Sequence, residues 1–291
     1  MSAPATANGT LRFTFYNSRD NNKRIRTAMN KDFLEPVAAI ARNAGRAILD
    51  IYETDFDVER KDDNSPLTQA DMAAHHCIVD GLAKLTPGLP ILSEEAADID
   101  WEERRRWDAY WLVDPLDGTK EFVKRNGEFT VNIALINGDQ ATVGVVHAPV
   151  SGTTWLGCQG VGAFRQHAGE EPTRIETRRP PVRPIRLISS RSHANESVEY
   201  MAQQIGDCKR LSAGSSLKFC YIAEGRADIY PRFGPTCEWD TAAAQAVLEA
   251  AGGCVIDREG RPFRYNRKAD LLNGHFIAAG DPEVNWIGYL D

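Results

Sequence analysis

The stretch Trp111-Leu112-Val113-Asp114-Pro115-Leu116-Asp117-Gly118-Thr119 joins an apolar run to two aspartates that are three positions apart. The apolar run predicts a buried strand that delivers Asp114 at its end, because Pro115 cannot continue the regular hydrogen bonding of a strand. The spacing lets both carboxylates turn to one side. Gly118 and Thr119 predict the start of a helix, whose free N–H groups can accept a phosphate. This one segment therefore offers two carboxylates, a phosphate-binding turn and a hydroxyl.

The pair of aspartates predicts a metal site. Two carboxylates held this close without a cation repel each other, and Mg²⁺ prefers carboxylate and carbonyl oxygens. Two further acids occupy similar positions: Glu94 follows the short apolar run 90–93, and Asp240 precedes the alanine-rich helical segment 241–251. Taken alone, each acid has an ordinary explanation as a helix N-cap or a solvated residue. Acids at strand ends or helix starts in three separate segments favour one shared site, and hence a Mg²⁺-dependent phosphatase.

A second class of phosphatase, the haloacid dehalogenase type, also carries an Asp-Gly-Thr sequence. Its motif has one residue between the two aspartates, and the first aspartate is phosphorylated during turnover. Here two residues, Pro115 and Leu116, stand between the aspartates. The spacing therefore argues against a covalent phosphoenzyme.

Hydrophobic periodicity divides the chain into two halves of different character. We predict an α+β half over residues 31–183 and an α/β half over residues 184–291, joined by the proline-rich segment 178–184. The helices expected from the apolar periodicity and from a cap at Thr68 are 33–52, 68–85, 215–224 and 241–251. The strands expected from short apolar or alternating runs are 56–60, 130–136, 142–147, 153–156, 186–189, 227–230, 254–257 and 276–279.

Composition excludes several functional classes. The chain has 291 residues, 42% of them hydrophobic and 26% charged, with a net charge of −7, which argues against binding a nucleic acid polymer. No run approaches the ~20 apolar residues of a membrane span. Residues 1–30 are basic and polar without an apolar signal core, so we expect a disordered tail or a start site at Met29, and a cytoplasmic protein.

Several motifs in a fixed order resemble the inositol monophosphatase superfamily, and most closely its CysQ-type 3'(2'),5'-bisphosphate nucleotidases. The resemblance covers residues 32–279. Besides the aspartate motif and Glu94-Glu95, the sequences that carry it are Asp62-Asp63-Asn64-Ser65-Pro66-Leu67-Thr68, Lys120-Glu121-Phe122-Val123-Lys124-Arg125-Asn126-Gly127-Glu128-Phe129, Ser190-Arg191-Ser192-His193, Gly214-Ser215-Ser216-Leu217-Lys218, Tyr230-Pro231-Arg232-Phe233-Gly234 and Trp239-Asp240-Thr241-Ala242-Ala243.

The resemblance implies a layered αβαβα sandwich with the site between its two halves. It implies that the metals are held by Glu94, Asp114, Asp117, Asp240 and the main-chain carbonyl of Leu116. It also implies that Asp71 and Thr119, with Glu94, help to deprotonate the attacking water. Substrate contacts are implied for Glu94, Leu116, Asp117, Gly118, Thr119, His193, Ser215, Lys218, Arg232 and Asp240.

The implied substrate is 3'-phosphoadenosine 5'-phosphate, cleaved to AMP and phosphate, with its sulfated analogue as a second candidate. Ser215, Lys218 and Arg232 would contact the phosphate that does not react, and His193 would lie against the nucleoside. The removal of this nucleotide by-product would support sulfur assimilation. Taken alone, Lys218 and Arg232 have the ordinary explanation of solvated charges.

Two alternatives stay open: a phosphatase for inositol or sugar phosphates with the same metals, and a regulatory nucleotide-binding protein without turnover. The intact acidic set argues against the regulator, and the Ser215, Lys218 and Arg232 set argues against the inositol phosphatase. Lys120, Lys124 and Arg125 are interpreted as a basic loop rather than as catalytic groups. The oligomeric state and a peripheral contact with the cytoplasmic face of the inner membrane are left open.

Overall fold

A computed structural model describes residues 31–54, 66–191 and 196–290. The predicted tail at 1–30, the start site at Met29, the predicted strand at 56–60 and His193 lie outside the described residues. None of the described helices is both long enough and apolar enough to cross a membrane.

The described residues form seven helices and twelve strands. The helices are α1 (Lys31–Tyr52), α2 (Pro66–Leu85), α3 (Trp101–Arg104), α4 (Thr119–Val123), α5 (Glu196–Ile205), α6 (Leu217–Ala223) and α7 (Glu238–Ala250). The strands are β1 (Ile91–Ser93), β2 (Ala109–Asp117), β3 (Thr130–Asn137), β4 (Gln140–Ala148), β5 (Thr153–Cys158), β6 (Gly162–His167), β7 (Thr173–Ile175), β8 (Ile185–Ser190), β9 (Cys208–Ala213), β10 (Ile229–Arg232), β11 (Cys254–Asp257) and β12 (Phe276–Ala279).

The strands make two mixed sheets. The first has the order β1-β2-β3-β4-β5-β6-β7, in which only β1 and β2 are parallel. The second has the order β11-β12-β10-β8-β9, with β10, β8 and β9 parallel and β12 antiparallel to both of its neighbours. The strands predicted at 130–136, 142–147 and 153–156 are thus confirmed as β3, β4 and β5, and the antiparallel run continues through β6 and β7.

Alternation along β2 shows how the layers are built. Trp111 and Val113 pack in one cluster with residues of α1 and α2, whereas Tyr110 and Leu112 pack in another cluster with residues of α6 and α7. A third cluster joins the far face of the second sheet to α5. The order is helices, sheet, helices, sheet, helix, which confirms the predicted α/β class and the αβαβα sandwich.

Strand β2 does not stop at Asp114, so the prediction that Pro115 ends the strand is wrong. The strand runs to Asp117, with a register shift in which Asp114 lies opposite Asn132 and Asp117 lies opposite Thr130. Three steps on β2 therefore face two steps on β3, which is a β-bulge. A proline is tolerated in a bulge because its missing N–H is not needed there.

The starts of helices α2 and α7 also differ from the predictions. Helix α2 begins at Pro66 and not after a cap at Thr68, because the fixed φ of proline suits the first helical turn. Helix α7 begins at Glu238 with Cys237 as its N-cap, so the interpretation of Asp240 as an N-cap is wrong. Asp240 is the third helical residue, and its Oδ2 accepts a 2.8 Å hydrogen bond from the Cys237 N–H.

Helix α7 packs on the first sheet at two glycines. A β-carbon at Gly144 would lie 2.0 Å from the carbonyl oxygen of Ala243, and one at Gly157 would lie 2.4 Å from the Cα of Val247. Both obstacles are helix backbone and cannot rotate away. The absence of side chains at these two strand positions therefore sets the distance between α7 and the sheet.

We expect Gly144→Ala to destabilise the protein by at least the ~1–3 kcal/mol typical of overpacking, because the added methyl must push α7 away from β4. Gly274→Ala is the matched control, since a β-carbon there meets nothing within 4 Å. Chemical denaturation of both variants measures the difference in free energy of unfolding. An unfolding free energy for Gly144→Ala equal to that of Gly274→Ala would contradict the close approach.

Candidate active site

The parallel pairing of β1 with β2 brings the first acids together. Ser93, the last residue of β1, lies opposite Val113. The next residue on each strand is an acid, Glu94 on one and Asp114 on the other, and Glu94 opens a short 3-10 turn. Because Glu94 and Asp114 directly follow the paired residues Ser93 and Val113, their side chains lie close together, and a hydrogen bond joins the two carboxyl groups. Helix α7 adds Asp240 in its first turn.

The pKa shifts show that these carboxylates are close enough to repel. Asp114 is 1% exposed, and burial raises its pKa well above 3.8, helped by the charges of Asp117, Glu94 and Asp240. Burial and the nearby Asp117 raise the pKa of Asp240 to about 7. Desolvation in the cleft, together with Asp117 and Glu95, raises the pKa of Glu94 to about 7, although part of this residue is exposed to solvent.

Each of the three aspartates uses one carboxylate oxygen in a hydrogen bond to the protein. Asp114 Oδ1 accepts from the Leu116 N–H at 3.0 Å, and Asp240 Oδ2 accepts from Cys237. Asp117 Oδ2 accepts from the Ser215 hydroxyl at 2.5 Å and from the Ser216 N–H at 2.6 Å. These bonds fix the orientation of each carboxylate.

The donor set fits a hard divalent cation in its chemistry. The groups are crowded oxygen donors with raised pKa values, which a bound cation would lower by relieving their repulsion. Within residues 31–54, 66–191 and 196–290, however, no three His, Cys, Asp or Glu side chains stand close enough together to hold a metal ion as they are.

Asp71 and Thr119 are near the acids but are not bonded to each other in the described structure. Asp71 on α2 is 7% exposed, and burial together with Glu95 and Glu94 raises its pKa to about 8. Its Oδ1 is buried without a hydrogen-bond partner among the described residues. Thr119 is exposed as the first residue of α4, after Gly118 in a left-handed conformation with φ 96°. Glu95, the neighbour of Asp71, belongs to the quoted Glu94-Glu95 motif but was not predicted as a site residue.

Two cations share a cleft of about 130 Å³ with the carboxylates. Lys218 is 5% exposed; burial lowers its pKa to about 8 against the opposing effect of Asp117, and the charge of Arg232 lowers it further. Arg232 donates from Nη2 to the carbonyl of Pro235 at 2.9 Å, while its Nε is buried without a partner among the described residues. The predicted site residues that line this cleft are Asp117, Gly118, Ser215, Lys218, Arg232 and Asp240.

The loop before α6 contains a hydrogen-bond network that the sequence analysis missed. Ser215 has a left-handed φ of 51°, which explains why α6 starts at Leu217 and not at residue 215 as predicted. The hydroxyl of Ser216 donates to Asn132 Oδ1 at 2.8 Å, and the hydroxyls of Thr130 and Ser216 lie 2.8 Å apart. In the sequence, the polar residues Thr130 and Asn132 at the start of the mainly apolar strand β3 were the feature that could have indicated this network.

Arg125 in the basic segment after the aspartate motif has contacts away from the cleft. It donates to the main-chain carbonyls of Thr54 and Tyr52, and its guanidinium lies 5.2 Å from the centre of the Tyr52 ring. These contacts hold Arg125 outside the cleft. Lys120 lies in α4 and Lys124 is the C-cap of that helix, so the predicted basic loop is largely a short helix.

A layered α/β fold in which Asp117 and Asp240 share a cleft with the buried Lys218 and the half-buried Arg232 is typical of a phosphatase that binds a metal and an anionic substrate. The chain belongs to the inositol monophosphatase family, whose sequence model matches residues 29–285. The family predicted from the motifs is thus confirmed.

Within this family, the chain is similar in sequence to bisphosphate nucleotidases. The chain is 50% identical over 246 residues to the 3'(2'),5'-bisphosphate nucleotidase CysQ of Escherichia coli strain K12, covering 84% of this chain and 98% of the relative. It is 35% identical over 259 residues to the 3'(2'),5'-bisphosphate nucleotidase CysQ of Haemophilus influenzae, covering 89% of this chain and 96% of that protein.

Solved structures agree with the fold. The crystal structure of CysQ from Bacteroides thetaiotaomicron, at 43% identity, superposes with a TM-score of 0.76 over 84% of this chain and 96% of that one. An inositol monophosphatase from Zymomonas mobilis, at 24% identity, gives a TM-score of 0.72 over 89% and 98% of the two chains and shows the shared fold alone.

The crowding of carboxylates predicts an unusual pH dependence of stability in metal-free protein. The folded pKa of Asp114 is raised above 3.8, and that of Asp240 is raised to about 7. A carboxyl with a raised folded pKa contributes most stability below its unfolded pKa, and this contribution is lost as the pH rises through the folded pKa. Stability contributed by these groups should therefore fall between about pH 4 and pH 8.

We expect Asp114→Asn in chelator-treated protein to melt roughly 2–8 °C above the wild type at pH 8 and close to it at pH 5. Asparagine can still accept the Leu116 hydrogen bond but carries no charge. The control is Asp98→Asn, which removes the charge of an exposed acid outside the helices and strands. Thermal melts at both pH values test this. A lower melting temperature for Asp114→Asn at pH 8 would contradict the repulsion.

Proposed function

We propose that this chain catalyses the Mg²⁺-dependent hydrolysis of the 3'-phosphate of 3'-phosphoadenosine 5'-phosphate, giving AMP and phosphate. The observation that carries the proposal is the shared cleft, in which Lys218 and the unpaired Nε of Arg232 lie beside Asp117 and Asp240. One side of the cleft suits a metal-bound reacting phosphate, and the other suits a second phosphate. The 50% identity to the CysQ nucleotidase of Escherichia coli supports the same substrate class.

Glu94, Asp114, Asp117, Asp240 and the carbonyl of Leu116 would hold the Mg²⁺. The bound ion would neutralise charge on the phosphate oxygens and acidify the attacking water. Mg²⁺ should raise the melting temperature of the wild type at pH 8, and it should raise that of Asp114→Asn much less. This measurement detects the ion without relying on turnover.

The proton-transfer groups would be Asp71 and Thr119, assisted by Glu94. The Thr119 hydroxyl would orient the attacking water, and Asp71, whose Oδ1 has no other partner among the described residues, would accept the proton. The water oxygen then bonds to phosphorus as the bond from phosphorus to the ribose 3'-oxygen breaks, and that oxygen takes up a proton from solvent to become the 3'-hydroxyl of AMP. No aspartate is phosphorylated in this route.

An inositol or sugar phosphatase is the less favoured alternative, because a monophosphate offers nothing for the Arg232 side of the cleft to bind. We place the reaction in the cytoplasm, where it would remove a nucleotide by-product of sulfur assimilation. Peripheral contact with the inner membrane and the boundary between residues 183 and 184 remain predictions.

Arg232→Ala should lower kcat/KM for 3'-phosphoadenosine 5'-phosphate by about 10- to 150-fold, since a charge-assisted contact contributes roughly 1.5–3 kcal/mol. Hydrolysis of inositol 1-phosphate, which has one phosphate, should hardly change. Arg232→Lys should recover only part of the loss, because a point charge cannot replace the planar guanidinium. Steady-state kinetics on both substrates measure the difference; equal losses on the two would show that Arg232 does not recognise the second phosphate.

Thr119→Ala should lower kcat by roughly 10²–10⁴, the range for lost proton-transfer assistance, without changing the melting temperature. Thr119→Ser keeps the hydroxyl and is the matched control, with kcat expected within about threefold of the wild type. A rapid acid quench during turnover checks the route, since recovery of a phosphorylated aspartate would rule out direct attack by water.

A further inference from the structure

A second pocket lies between α5 and the ends of β10 and β12, with a volume of about 310 Å³. Its walls carry the aromatic rings of Tyr200, Phe233 and His275 and the charged groups of Glu196 and Arg258. The volume is within the ~300–1,000 Å³ usual for small-molecule sites. No step of the proposed hydrolysis uses this pocket.

The register of β10 and β12 places this pocket next to the phosphate cleft. Arg232 pairs with Phe276 across the two strands, and both residues line the cleft. One residue further out, at the strand ends, Phe233 and His275 line the second pocket, with ring centres 5.9 Å apart and planes at 75°. Because one residue advances a strand by about 3.3 Å and points its side chain to the other face, the pockets adjoin around the same strand ends.

A ligand that binds in both pockets must therefore cross the carboxyl ends of the parallel strands β8 and β10. Ser190 at the end of β8 lines the cleft beside Arg232, which ends β10. The carboxyl ends of parallel strands are where ligands bind in open α/β sheets. A nucleoside bisphosphate has the required form, with a charged part for the cleft and a flat aromatic base attached to it.

The rings suit a base rather than a second anion. Phe233 is half-buried, packing partly against the hydrophobic cluster under α5, and His275 is exposed. Aromatic side chains at this degree of exposure provide faces or edges on which a base can stack. Of the two charged groups at the wall, Glu196 can accept a hydrogen bond from an amino group on a base, and Arg258 can donate one to a ring nitrogen or carbonyl oxygen of the base.

We propose that this pocket binds the nucleobase of the substrate, and that Phe233 and His275 make the enzyme prefer a nucleotide to a bisphosphate without a base. This inference rests on the proposed function, because it concerns how the same substrate is selected. Phe233 and His275 are specificity residues and take no part in proton transfer.

The test compares 3'-phosphoadenosine 5'-phosphate with ribose 3,5-bisphosphate, which carries the same phosphates and no base. Phe233→Leu keeps the apolar packing but removes the ring, and Phe233→Tyr, the matched control, keeps the ring. Phe233→Leu should lower kcat/KM for the nucleotide by about 5- to 150-fold, the range found for loss of one base stack, and leave the base-free substrate within twofold. Phe233→Tyr should stay close to the wild type on both substrates, and His275→Ala should repeat the selective loss.

Product binding gives a second readout that does not need turnover. By calorimetry, Phe233→Leu should weaken the binding of AMP and leave that of ribose 5-phosphate unchanged. Equal losses of affinity for the nucleotide and for the base-free compound would show that Phe233 shapes the cleft. No loss of affinity for either would place the base elsewhere. Either result overturns the inference. If the wild-type protein hydrolysed neither bisphosphate, the proposed function itself would fail, which is a distinct outcome.

Discussion

Helix α7 lies so close to the first sheet that there is no room for a side chain at Gly144 or Gly157. The helix carries Asp240 in its first turn, and the edge of the sheet carries Asp114 and Asp117. A carboxylate from the second half of the chain can reach the other two only because the helix backbone sits directly on the strands. The same helix packs in a cluster with residues of the second sheet, so its position also sets the distance between the two sheets.

The first turn of α7 is also held from the side by a buried arginine. Arg104 is 2% exposed and donates to the carbonyls of Ile99 and Ala269 and to Asn266 Oδ1, at 3.2, 2.7 and 2.8 Å. The Asn266 N–H in turn donates to both oxygens of Glu238, the first residue of α7. A buried charge with this many partners is well satisfied. These bonds link the segment after Glu94 to the helix that carries Asp240, so the acids at the site depend on contacts made well outside it.

The sequence predicted the layers and the family more reliably than it predicted local geometry at the site. Hydrophobic periodicity is a local pattern, so most strands and helices could be predicted from it, whereas the layers were predicted from the resemblance to the family. The bulge at Pro115 depends on how β3 pairs, and the role of Asp240 as the third helical residue depends on a cap at Cys237. The bond from Ser215 to Asp117 and the adjacency of Phe233 to His275 join residues far apart in sequence, and no periodicity reports them. His193 lies outside the described residues, so its predicted contact with the nucleoside stays a prediction.

The two sides of the cleft form one hydrogen-bonded unit, and this limits what a substitution there can reveal. Ser215 was predicted to contact the second phosphate, yet its hydroxyl also donates to Asp117, and Lys218 donates to its main-chain carbonyl. Removing the hydroxyl would change the orientation of a carboxylate as well as a substrate contact, so a loss of activity could not be assigned to either. Arg232 differs, because its Nε has no partner among the described residues, while its Nη2 donates to the nearby Pro235 carbonyl. A buried donor without a partner is unfavourable by about 1–3 kcal/mol, and a bound anion would remove that cost. The phosphate side of the cleft is therefore better identified by this unpaired donor than by the conformation of Ser215.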